Sequence, residues 1–181
     1  MVSDGKLRLK STKVLDRNLE ATTRFVVNQG GSRSSKTTSI AQLFIVRALQ
    51  ETTPQVYSVV RKSMPTLRSS AMRDFIGQLQ ITGLYREQNH NKTENIYHLG
   101  LVDIEFFGAD EPQKMRGRGR KLLWENEANE LSPEDHFQLN IRTTDQVFMD
   151  FNPSDEFHWI YDDILTRPDC TFIQSTYKDN R

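Results

Sequence analysis

The stretch Gly30-Gly31-Ser32-Arg33-Ser34-Ser35-Lys36-Thr37 constrains this chain more than any other. A short β-prone run, Arg24 to Asn28, precedes it. Behind it comes Ser39 to Gln50, where Ile40, Leu43, Phe44, Ile45, Val46 and Leu49 are apolar nearly all round, as in a buried helix. Between strand and helix the stretch reads G-x-x-x-x-S-K-T, against the phosphate-loop pattern G-x-x-x-x-G-K-[ST]. The chemistry asks for these residue types. Small residues such as Gly30, Gly31, Ser32, Ser34 and Ser35 let backbone N–H groups turn inward onto phosphate oxygens, and the following helix points its positive end at the same anion. Lys36 is placed to reach the β- and γ-phosphates, Thr37 to ligate Mg2+ through its hydroxyl, and Thr38 to follow on the same turn. Ser35 stands where glycine is usual and has less backbone freedom. Arg33 either touches phosphate or points to solvent. The plain alternative is a serine-rich turn that caps a helix.

A second feature belongs with the first. The run Lys121-Leu122-Leu123-Trp124 emerges into Glu125-Asn126-Glu127. In P-loop ATPases such a strand brings one group to the Mg2+ shell and a glutamate to the attacking water. In register, Asn126 takes the metal-side position and acts through a bound water, and Glu127 takes the catalytic one. Glu125 is the other candidate for the metal side, although strand alternation turns it to the opposite face. Gln29 lies where such ATPases often contact adenine.

The rest of the chain alternates strand and helix. Val56 to Val60 and Gln146 to Phe151 read as strands, as does Thr171 to Ser175. Ile96 to Leu99 and Leu101 to Phe107 read as a hairpin around Gly100, with Val102, Ile104 and Phe106 alternating against Asp103 and Glu105. Ser69 to Leu79 and Phe157 to Leu165 read as helices, and Ser132-Pro133-Glu134-Asp135 as a helix start. This order predicts an α/β domain with a mostly parallel central sheet flanked by helices. Residues 1–20 are polar and read as an N-terminal arm, with one domain over residues 21–181.

Charge excludes some classes. Lys plus Arg number 24 and Asp plus Glu 24, so the chain is neither a generally basic nucleic-acid binder nor an acidic tail. Any affinity for DNA must come from a local cluster. Lys114, Arg116, Arg118, Arg120 and Lys121 form one, in a loop with Gly117 and Gly119. That loop either grips DNA phosphates or offers an arginine to a neighbouring subunit; a solvated connection is the plain reading. Arg61-Lys62 has the same ambiguity. The lone cysteine, Cys170, forbids an internal disulfide and a cysteine-rich zinc site, and the four histidines show no metal spacing. The apolar run around Leu43 to Val46 is far shorter than the ~20 residues a spanning helix needs. No membrane partner is expected, and a cytosolic chain is the default.

Several stretches, in order, resemble one family: GGSRSSKT, VVRKSMPTLRSS, FFGADEPQKMRG, LLWENEANEL, DFNPSDEFHW and STYKDN. From about Arg24 onward the chain is similar to the large terminase subunits of tailed bacteriophages, in their PBSX-like branch. The resemblance implies a P-loop NTPase fold of the ASCE/RecA-like kind and an ATP-hydrolysing motor that packages DNA. ATP and Mg2+ follow as cofactors. Double-stranded DNA, a ring of large-subunit copies, a portal protein and a small terminase subunit follow as partners, in host cytoplasm and transiently on the procapsid. The family often shows Asn-Glu at the strand end, which fits Asn126-Glu127. Its coupling motif, which senses the γ-phosphate, is similar to the DFNP stretch and implies that role for Asn152; the alternative is a plain Asn-Pro turn. The family's C-terminal nuclease domain, RNase H-like, is not expected within this sequence. Competing functions are another P-loop enzyme, of helicase or nucleotide-kinase type, and a non-catalytic DNA-binding or assembly module with a degenerate loop.

Overall fold

Apolar strands alternating with helices can cover both faces of a sheet only if the strands run parallel and the helices cross over it. The computed structural model shows this arrangement and describes residues 9, 11–31, 34–117, 119–153 and 158–180. The strands are β1 (Phe25–Gly30), β2 (Gln55–Arg61), β3 (His90–Asn91), β4 (Ile96–Leu99), β5 (Val102–Gly108), β6 (Leu122–Asn126), β7 (Val147–Phe151) and β8 (Cys170–Ser175). They form one sheet in the order β3-β4-β5-β2-β6-β7-β1-β8. From β5 to β8 every neighbouring pair is parallel. Only the β3-β4-β5 edge is antiparallel. There the expected hairpin turns at Gly100, whose φ of +60° is the left-handed conformation that favours glycine.

Helices α1 (Lys13–Glu20), α2 (Lys36–Gln50), α3 (Met64–Arg68), α4 (Ala71–Ile81), α5 (Pro112–Met115) and α6 (Pro133–Asn140) complete the layers. Ser132 caps α6 as expected, accepting from Asp135 N while Asp135 accepts from Ser132 N. One face of the sheet packs Tyr57, Trp124 and Phe148 against Leu15, Leu43, Phe44 and Phe75. Phe44 is the centre of that layer, with ring centroids 5.5 Å from Tyr57, 5.8 Å from Trp124 and 5.9 Å from Phe148. Fully burying one such side chain contributes about 1.5–3 kcal/mol. The other face packs Phe25, Val27, Leu123 and Met149 against Leu139, Ile160 and Trp159. Among the described residues no helix is long and apolar enough to cross a membrane.

Three expectations change. The first twenty residues are not all an arm, because α1 is part of the core. Val14 and Leu15 are buried, and Asn18 exchanges hydrogen bonds of 2.8 and 2.9 Å with Asn28 of β1. The polar composition hid a helix with one narrow apolar stripe. Next, the helix expected from Phe157 to Leu165 is a single π-helical turn, Ile160–Ile164; Phe157 itself lies outside the described residues. Finally, the basic cluster is divided. Arg120 is only 2% exposed. Its Nε donates to Ser58 Oγ at 2.8 Å, its Nη1 to the Leu139 carbonyl at 3.1 Å, and its guanidinium lies 5.7 Å from the Phe107 ring centroid. Lys121 pairs with Glu51 at 2.7 Å. Both enter the N-terminal end of β6, at the sheet edge opposite the serine-rich loop. Arg120 is therefore buried in the structure rather than presented to DNA or a neighbour, and Lys121 is held by its ion pair at the same end.

Arg120→Ala is therefore expected to lower unfolding free energy by about 3 kcal/mol, from the cavity and the orphaned polar groups. Urea denaturation at low and high salt measures it, and the loss should be similar at both because the contacts are buried.

Candidate functional site

Parallel strands present their carboxyl ends along one edge of a sheet, which is where α/β domains gather functional groups. Here β1, β7 and β6 are neighbours in register: Asn28 pairs with Asp150 on one side, and Asn126 pairs with Asp150 on the other. The residues that follow these strands therefore meet.

Gly30 ends β1. A methyl group placed there would run into the hydroxyls of Ser34 and Ser175 and the Ser175 carbonyl, so the loop leaves the strand where only glycine fits. Ser35 holds the left-handed conformation, φ 66° and ψ 4°, at the position where the phosphate-loop pattern has its second glycine. An L-residue is strained there. The N-terminus of α2 has no side-chain cap and no acid in its first turn, so its positive end and its N–H groups are available to an anion. Ser34 Oγ is buried with no hydrogen-bond partner among the described residues. An orphaned hydroxyl, a close-approach glycine and an uncapped helix start together suit a phosphate group. Ser32 and Arg33 lie outside the described residues. A cavity of about 460 Å3 opens on one side of the loop, lined by Gly31, Ser34, Lys36, Thr37, Thr38 and Gln42 among others. Another, of about 520 Å3, opens on the other side, between Gln29, Pro153 and Tyr177.

Side chains of three separate motifs join at this edge. Lys36 is 6% exposed, and its Nζ donates to Asn152 Oδ1 at 2.8 Å. Asn152 Nδ2 donates to Glu127 Oε1 at 3.2 Å. A second chain runs beside it. Thr37 Oγ1 donates to Asp150 Oδ2 at 3.2 Å, and Asn126 Nδ2 donates to both Asp150 oxygens, at 3.0 and 3.2 Å. Ser70 Oγ donates to Asn126 Oδ1 at 3.0 Å, and Arg61 Nη1 to Ser70 Oγ at 3.0 Å. Arg61 also makes a two-point contact with Glu130, at 2.7 and 2.9 Å.

Glu127 follows β6 directly and is itself left-handed, φ 50° and ψ 55°. Burial and the negative charge of Asp150 push its carboxyl pKa above the ordinary value, while Lys36 and Arg61 pull the other way. A raised carboxylate among fixed donors is one mark of a functional group.

Glu125 is not a metal-side candidate. It points to the opposite face, fully buried, where His136 Nδ1 lies 2.9 and 3.0 Å from its two oxygens. The His136 ring packs at a tilt against Trp159, with centroids 4.9 Å apart. Gln29 borders the second cavity, and its amide is hydrogen-bonded to Tyr161 and to Gln174. Of the basic loop, Lys114 pairs with Glu111 at 2.9 Å and Arg116 is exposed; Arg118 lies outside the described residues. Neither Lys114 nor Arg116 is hydrogen-bonded to the phosphate-loop side chains among the described residues. Sequence reasoning missed Asp150. Its signal was an acid inside the otherwise apolar run Val147-Phe148-Met149-Asp150-Phe151, since an acid is almost never fully buried without a partner.

A family model described as phage terminase large subunit matches residues 22–181. No curated protein matches the chain. Among solved structures, the large terminase of a thermophilic bacteriophage superposes with a TM-score of 0.83 at 16% identity, over 95% of this chain and 47% of that one. The same terminase in complex with ATP-gamma-S superposes at 0.76 and 14%, over 94% and 46%. The large terminase ATPase domain of Thermus phage P74-26 superposes at 0.71 and 13%, over 95% and 84%. At these identities the likeness shows the fold, a P-loop NTPase α/β sheet. The chain spans about half the length of the first of these proteins.

Two outcomes follow from the strained and buried groups. A carboxyl whose pKa is raised on folding loses stability as pH climbs from its unfolded value through its folded one. In nucleotide-free protein, Glu127→Gln should melt above wild type at pH 7, with the gap closing as pH falls toward about 4.3, the ordinary glutamate value. Melting curves across that range check the sign. Ser35→Gly relieves the left-handed strain and should raise stability by about 1 kcal/mol, measured by urea denaturation.

Proposed function

This chain belongs to the phage terminase large subunit family, and on that premise we propose that residues 21–181 are an ATP-hydrolysing motor domain that drives double-stranded viral DNA into a procapsid. The observation that carries the reading is the hydrogen-bonded line Lys36–Asn152–Glu127, because it connects the phosphate loop to the group that would orient water. The related terminase bound to ATP-gamma-S supports ATP as the nucleotide.

In this reading Gly30, Gly31, Ser34 and Ser35 cradle phosphate through their backbone, as would Ser32 and Arg33, and Lys36 neutralises the β- and γ-phosphates. Thr37 lies with Asp150 and Asn126 where Mg2+ would sit. No group of three or more His, Cys, Asp or Glu side chains is placed to hold a metal among the described residues. Mg2+ is commonly bound by one or two carboxylates plus substrate phosphates and would supply charge neutralisation there.

Glu127 is the general base. Its raised pKa brings it nearer the operating pH, which favours proton transfer. Asn152 holds Glu127 while Lys36 is bonded to it, so a lysine drawn to phosphate releases one side of Asn152. This couples the state of the nucleotide to the orientation of the base. Asn152 thus acts as the coupling residue rather than as a turn former alone. The exposed Arg116, with Lys114 and Arg118, is the part of the basic loop offered to DNA or to the next subunit. The remaining partners are further copies in a ring, the portal and the small subunit, in host cytoplasm and on the procapsid.

A non-catalytic module with a degenerate loop is the competing reading, and Ser35 and Asn126 favour it. Two variants separate them. Lys36→Ala should weaken ATP binding by about tenfold or more by calorimetry, because a buried charge-assisted contact is removed, with melting behaviour retained. Glu127→Gln should bind ATP and lower turnover by about a hundredfold or more. Equal ATP affinity for Lys36→Ala and wild type sinks the nucleotide reading, and unchanged turnover in Glu127→Gln removes Glu127 from the chemistry.

A further inference from the structure

We infer that Asp150 of β7, and not a residue of β6, supplies the carboxylate that holds the nucleotide's divalent cation beside Thr37. This rests on the nucleotide-binding reading above.

The strand-end position that would ordinarily carry this carboxylate holds an amide, Asn126. Its role is fixed by its partners. Asn126 Oδ1 accepts from Ser70 at 3.0 Å, and Asn126 Nδ2 donates to Asp150 at 3.0 and 3.2 Å. The edge facing Thr37 and Asp150 is therefore an N–H edge, which repels a cation. Asn126 positions the carboxylate and does not ligand the metal.

Asp150 has the opposite character. It is 0% exposed. Its hydrogen bonds come from Trp124 Nε1 at 2.9 Å, from the Asn126 amide, and from Thr37 Oγ1 at 3.2 Å. All are neutral donors. Among the described residues no Lys, Arg or His nitrogen forms an ion pair with it. Buried charges are paired or coordinate metals, because an uncompensated one is expensive. Arg61 acts on Asp150 only from beyond ion-pair distance, so the place for a directly paired cation is the side of Thr37, whose hydroxyl already touches Oδ2. A hydroxyl and a carboxylate oxygen side by side at the mouth of a phosphate loop are the protein part of a Mg2+ shell, and phosphate and water complete it. In register, Asn126 and Asp150 are direct partners on adjacent strands. The carboxylate thus stands one strand across from the amide that occupies the end of β6.

The test is calorimetry of ATP-gamma-S on the full chain, in EDTA and in saturating Mg2+. In wild type, Mg2+ should tighten binding about tenfold or more, and in Asp150→Asn that gain should fall below about twofold, while affinity in EDTA is not weakened. Asparagine keeps an acceptor for Trp124 and removes a buried charge, so Asp150→Asn should melt no lower than wild type. The exchange variant, Asn126→Asp with Asp150→Asn, keeps the paired side chains and should restore most of the Mg2+ gain. A full Mg2+ gain in Asp150→Asn overturns the inference and leaves Asp150 as an anchor for Trp124. Loss of binding in EDTA as well as in Mg2+, with the fold intact, also overturns it. Should Lys36→Ala match wild type in EDTA, the nucleotide reading itself has failed, and the inference falls with it.

Discussion

Strands β1, β6 and β7 are buried along their whole length, and the rest of the molecule depends on that constraint. A strand with no exposed face must be paired on both edges and covered on both sides. Parallel pairing meets the first need, and crossover helices such as α2 and α6 meet the second. The consequence for function is directional. All three strands end at one edge, so whatever polar groups follow them are brought together whether or not they are near in sequence.

The polar groups gathered there sit in surroundings made by apolar packing. Phe44, Trp124 and Phe148 exclude water beneath the site, and Trp124 does more than fill space, because its indole N–H holds Asp150. Low local polarity raises the stakes of each charge. It keeps Glu127 above the ordinary carboxyl range, and it leaves Asp150 dependent on a network of neutral donors. The same burial holds Lys36 against Asn152 rather than in solvent.

Backbone strain is confined in a related way. The left-handed non-glycine residues among the described positions are Ser35, Asn95 and Glu127. Two of them stand at the phosphate loop and at the end of β6. Each turns its chain sharply where a strand must hand over to the next segment while keeping N–H groups or a carboxylate aimed at a shared centre. Such strain persists only where surrounding packing over-determines it, and here the fully buried strands provide that packing.

Much was legible in the residues alone. Periodicity marked the strands and most helices, and small residues before Lys36-Thr37 marked the loop, because both signals are local. Strand alternation even placed Glu125 and Asn126 on opposite faces. The sequence could not show that Arg120 is buried while Arg116 is exposed, since both are arginines in one glycine-bearing loop. Nor could it show that α1 belongs to the core, because its apolar stripe is narrow. Asp150 was visible only as an acid in an apolar run. Its meaning depends on β7 lying between β1 and β6, an order set by which faces can be buried together. Local chemistry determined the loop and the strand ends; the sheet order, which no local pattern encodes, decided which carboxylate stands beside Thr37.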